Sequence, residues 1–149
     1  MAGLTDRQIV TEAKRRGLPL IGVFLKDSLP LGNPSPHGLY VFNLDNSDGE
    51  GTHWTAAFTR GKEVTYFDSF GFPPPVEIVR FLKRRYKKVG WNGWVLQSIK
   101  STVCGWWVIA FGEHMANTNG PLQKDANDFL CQFGSDFTEN DRSLRGLLA

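Results

Sequence analysis

The stretch Gly105 to Phe111 reads GWWVIAF, and the helix it predicts, from Gly105 to about Met115, is apolar on nearly every side. A helix of that kind has no flank suited to water, so it must be central and the rest of the chain must supply layers around it. The chain can do this. It has 149 residues, 41% of them apolar, with five Trp and eleven Phe. A domain of this length buries roughly 70% of its unfolded surface, enough for one core and no second. Residues 1–149 are therefore expected to form a single domain whose tail turns polar from about 135.

The segments before that helix alternate in character. Thr5 to Gln8 has the form of a capping box and Leu4 can staple against Ile9, which predicts a helix near 6–16 stopped at Gly17. LPLIGVFL (18–25) is a buried apolar segment of either type. LPLGNPSPHG, with three prolines and two glycines, is a surface loop. LYVFNL (39–44), HWTAAFT (53–59) and EVTYFD (63–68) are short, rich in aromatic and β-branched residues, and separated by turn sequences. They predict an antiparallel meander. Pro75 can open a helix that carries Val79, Leu82 and Tyr86 on one face and ends near Gly90. WVLQSI (94–99) reads as a further strand, and LQKDANDFLCQF as a covering helix. The expected class is α+β: a small, mainly antiparallel sheet packed by helices, one of them deeply buried.

Two cysteines 27 positions apart offer neither a disulfide framework nor a CxxC pair. Cys104 directly precedes the apolar helix, where unpaired backbone N–H groups and the dipole favour a thiolate. Taken alone it also fits a small core residue, the reading given to Cys131 in NDFLCQF. His53 opens a strand beside Trp54, and Asp68 closes the next strand of the same hairpin, so a carboxylate can reach the imidazole across the ladder and fix its tautomer. Gln97, seven positions before Cys104, can offer its amide to an oxyanion. His37 and His114 are read as loop and helix-surface residues. No zinc-ligand spacing joins the histidines and cysteines, so no metal is expected.

Taken together, GTHW (51–54), YFDSFGF (66–72), Gln97 and CGWWVIAF (104–111) resemble the adenovirus-type endopeptidases, the adenain group of cysteine proteases, which are similar in turn to the SUMO and ubiquitin-like proteases. The likeness extends over most of the chain to about residue 116, and the Gln-to-Cys spacing suits adenain better than the SUMO proteases. The resemblance implies the papain-like superfold and thiol-dependent peptide hydrolysis. Cys104 would be the nucleophile, His53 its base, Asp68 the orienting acid and Gln97 part of the oxyanion hole. Trp54 would shield the imidazole, and Gly105 would let substrate backbone approach. It further implies glycine-containing cleavage sites in viral capsid or core precursors, virion maturation as the role, and a monomer acting in the virion and in the host nucleus or cytoplasm. A peptide or DNA activator is implied too, although RRYKKVGWNGWVL (84–96) holds no cysteine for a disulfide-linked peptide.

Charge adds one feature. The formal net charge is only +2, but Lys14, Arg15 and Arg16 form one basic cluster and Lys83, Arg84, Arg85, Lys87 and Lys88 another. The second is a candidate DNA-binding surface, set against the ordinary reading of a solvated helix face. The N-terminus lacks the basic-then-apolar order of a signal peptide, and no apolar run reaches the ~18 residues of a membrane span, which predicts an intracellular protein. Two other functions fit the same residues: a protease for ubiquitin or a ubiquitin-like modifier, and a non-catalytic DNA- or capsid-binding module.

Overall fold

The computed structural model describes residues 1–45, 53–98 and 101–149. Gly51, Thr52 and Ile99, and most of the turn after Leu44, lie outside the described residues. The architecture is α+β. Among the described residues five strands, β1 (Leu20–Leu25), β2 (His37–Asn43), β3 (Trp54–Arg60), β4 (Glu63–Phe67) and β5 (Gly90–Trp91), lie side by side in that order. β2, β3 and β4 form the expected antiparallel meander, and β1 and β5 add parallel edges. LPLIGVFL thus resolves as an edge strand.

Both faces of the sheet are covered, so its middle strands are buried along almost their whole length. Side chains alternate with period two. Leu39, Val41, Trp54, Ala56, Phe58 and Phe67 point to one core, while Tyr40, Phe42, Ala57, Val64 and Tyr66 point to the other. The second core is closed by α2 (Val76–Leu82) through Ile78, Phe81 and Leu82. The first holds α3 (Cys104–Ala116), which lies on β3 and is wrapped by α1 (Asp6–Arg15), α4 (Leu122–Leu130) and α5 (Phe137–Leu148). That enclosure is why α3 needs no polar face. Phe111 stacks on Phe67 at 4.6 Å, and Phe129 of α4 meets both rings edge-on. Truncating such a side chain costs about 3–5 kcal/mol.

The capping box is formed: Gln8 N donates to Thr5 Oγ1 at 3.2 Å and Thr5 N donates to Gln8 Oε1 at 2.8 Å. Arg16, just after α1, then ties three helices together by donating to Glu12, to Glu113 of α3 and to the Leu148 carbonyl of α5.

Two expectations are corrected. The described part of WVLQSI is not a strand. Leu96 N and Gln97 N both donate to the single carbonyl of Ser69, so this segment hangs from the turn after β4 without a ladder, and the pairing strand is Gly90–Trp91. α2 ends at Leu82, well before Gly90, because the chain leaves the helix to bury Tyr86 and to let Arg84 donate to the carbonyls of Pro30, Leu31 and Gly32. The polar stretch after Gly134 is an amphipathic helix capped by Asp136, with Leu144 wholly buried.

Candidate active site

The site lies at one end of the β3–β4 hairpin. Register pairs Ala56 with Phe67, so continuing it sets Thr55 across from Asp68 and His53 across from Phe70. The side chains follow. His53 stacks on Phe70 with ring centroids 4.2 Å apart, and its Nε2 meets Asp68 Oδ1 at 2.7 Å. Gly71 permits this turn: its φ of +78° is left-handed, and a Cβ there would stand 3.0 Å from the Trp94 carbonyl oxygen.

Asp68 has no solvent exposure and is held from three directions. Oδ1 accepts from Phe70 N at 2.8 Å as well as from His53. Its backbone is clamped by Asn92, whose Oδ1 accepts from Asp68 N at 2.9 Å while its Nδ2 donates to Asp68 O at 2.8 Å. Asn92 follows directly on β5, so that two-residue strand delivers the clamp. The sequence reading missed this residue, because an Asn before Gly in WNGW signals only a turn.

Cys104 begins α3, and Trp54 N donates to its Sγ at 3.4 Å, which brings the thiol to the peptide that follows His53. The indole of Trp54 is fixed in turn, Nε1 donating to Leu4 O at 2.9 Å. Gly105 is buried: a Cβ would sit 3.1 Å from Leu4 Cβ and 3.3 Å from Trp54 Cδ1. Its smallness lets the N-terminal segment and Trp54 close on the helix. Unlike α1 and α5, α3 has no side-chain cap, for Val103 stands at that position. Trp106 N donates back to Val103 O at 3.0 Å, and no side chain among the described residues caps the amides of Cys104 and Gly105.

The neighbours of His53 act on its charge. Burial pulls the pKa of His53 down, but its hydrogen bond to Asp68, the interaction with Cys104 and the charge of both outweigh that and raise it from 6.5 to about 9. Nε2 is engaged by Asp68. Nδ1 is buried without a hydrogen-bond partner among the described residues.

Gln97 is buried, with Nε2 donating to Ser101 O over a long 3.4 Å and Oε1 lacking a partner among the described residues. It hangs from Ser69, the residue after Asp68, which anchors it to the same turn. The other sequence candidates lie elsewhere. Cys131 is exposed just past α4, against the core position expected for it. His37 begins β2 with its ring edge-on to Phe58, and His114 is partly buried, its Nε2 2.8 Å from Asp125 O. No group of three or more His, Cys, Asp or Glu placed to hold a metal occurs among the described residues, and none of their helices is long and apolar enough to cross a membrane.

No family model matches the chain, and no curated protein matches it. Solved structures do. The chain is similar to the ASFV pS273R protease, with a TM-score of 0.54 and 15% identity over 90% of this chain and 68% of that one. A selenomethionine structure of the same protease aligns with a TM-score of 0.41 and 21% identity, over 66% of this chain and only 44% of that one. At 15% identity the first match speaks for the fold: this chain has an α+β fold resembling that of the ASFV pS273R protease.

Proposed function

We propose that this chain is a thiol endopeptidase of viral origin that cuts precursor polypeptides at glycine-containing sites. The observation that carries the reading is the buried Asp68 carboxylate 2.7 Å from His53 Nε2, together with the Cys104 thiol at the start of α3, 3.4 Å from the amide of the next residue, Trp54. Similarity of the fold to a viral protease supports it.

In this reading the thiol proton passes to His53 Nδ1, giving a thiolate and an imidazolium that Asp68 stabilises through Nε2. Sγ attacks the scissile carbonyl carbon, and the oxyanion is met by the first amides of α3 and the Gln97 side-chain amide. As the C–N bond breaks, His53 returns the proton to the leaving amine and a thioester remains on Cys104. Water, deprotonated by His53, then releases the acid. Trp54, whose backbone touches Sγ, keeps bulk water from one side of the pair.

Cleavage of a peptide library by the purified chain, with Cys104→Ala as the blank, tests the proposal. Turnover confined to the parent chain and centred on glycine-containing sequences is expected. Equal turnover by the blank would defeat the thiol mechanism, and reaction only with a ubiquitin-like modifier bearing a C-terminal electrophile would defeat the precursor assignment.

A further inference from the structure

At the end of β4 remote from Asp68 lies a cavity of about 920 Å³, lined by Lys62, Glu63 and Val64 of the β3–β4 turn and strand, by Arg85 and Lys87 to Gly90, and by Gln123 of α4. Four cations converge on it from two separate stretches of chain. Among the described residues none of Lys62, Arg85, Lys87 and Lys88 has an ion-pair partner. The one acid, Glu63, accepts a hydrogen bond from Leu122 N at 3.4 Å. Val64 and Val89 supply apolar surface.

The basic run seen in the sequence is thereby divided. Arg84 is committed to three carbonyls and to the Phe81 ring, and neither it nor Lys83 lines the cavity. The cations that remain line one concavity. A duplex presents a phosphate charge every ~1.7 Å along its axis and is met by an extended track. A cavity within the roughly 300–1,000 Å³ of small-ligand pockets suits a compact anion.

We propose that this cavity binds a small, multiply phosphorylated organic molecule, its phosphates taken by Lys62, Arg85, Lys87 and Lys88 and its carbon skeleton resting on Val64 and Val89. The same backbone continues through β5 to Asn92, so the ligand would sit against the segment that clamps Asp68. The binding claim does not depend on the protease reading.

Isothermal titration of the full chain with inositol hexakisphosphate and with ATP, at low and moderate salt, tests it. Saturable one-to-one binding of at least one probe is expected. It should weaken about tenfold for each of Lys62→Gln and Lys87→Gln, as loss of one charge-assisted contact predicts, and hold for Lys14→Gln. Absence of saturation by both probes, or equal weakening by Lys14→Gln, would overturn the site. Tighter binding of a DNA duplex that grows with its length and ignores Lys62→Gln would overturn it in favour of a nucleic-acid track.

Discussion

The two ends of β3 each carry a largely buried ion pair, and they are built to different ends. At the last residue, Arg60 donates Nη1 to Asp125 Oδ2 and Gly120 O, and Nη2 to Met115 O, Thr118 O and Thr118 Oγ1. Asp125 Oδ2 also accepts from Gly120 N, and α3, α4 and their connection are locked to the sheet. Just before the first residue, His53 and Asp68 make one short bond, yet His53 Nδ1 and Asp68 Oδ2 are buried with no partner among the described residues. A buried polar atom without a partner costs about 1–3 kcal/mol. The Arg60 end avoids that cost and the His53 end tolerates it, which fits the proposed reaction at His53.

Substitutions should separate the two ends. The largest effect is expected for Cys104→Ala: loss of peptide turnover by about 10⁵-fold or more, with the melting temperature nearly unchanged. His53→Ala should follow, with a loss of about 10²–10⁴ in kcat. Gln97→Ala, as loss of an oxyanion donor, should cost about 10²–10³ in kcat with little change in KM. Arg60→Ala should reverse the pattern. It strands Asp125 and should cost about 3 kcal/mol in urea unfolding, the lower limit for a broken buried pair because both side chains keep some exposure. Turnover per folded molecule should hardly move.

The smallest effect expected is a split in pH dependence. The His53 pKa is raised from 6.5 to about 9, so its contribution to stability is complete below pH 6.5 and is lost as pH rises through about 9. The Arg60 hydrogen bond and the Gly120 amide hold Asp125 below the ordinary carboxylate value of 3.8 despite the opposing effect of burial. Its contribution is therefore complete above that value and lost in acid. Melting curves across pH should lose their alkaline limb in His53→Ala and their acid limb in Asp125→Asn.

What could be read in advance follows the range of the interactions. The central helix, the meander and the capping box rest on local pattern, and each is where the sequence placed it. His53, Asp68 and Cys104 were legible because hairpin register brings the first two together and the apolar run implies a helix start at the third. Asn92 was not, for its role is to bond the backbone of Asp68, 24 positions away, and nothing local marks it. The early end of α2 was hidden for the same reason: its cause is Arg84 reaching carbonyls more than 50 positions back. The packing of Gly105 was hidden too, because its neighbour Leu4 comes from about 100 positions back in the chain.

The central claim, that Cys104 and His53 act as one proton-sharing unit, is tested most directly by alkylation with iodoacetamide between pH 5 and 10, with exposed Cys131 as the internal reference. Cys104 should react faster than Cys131 at pH 6, and His53→Ala should abolish the difference. If both thiols followed one pH curve, or if His53→Ala left Cys104 unchanged, the thiol would be a packed core residue and the proposed chemistry would fall.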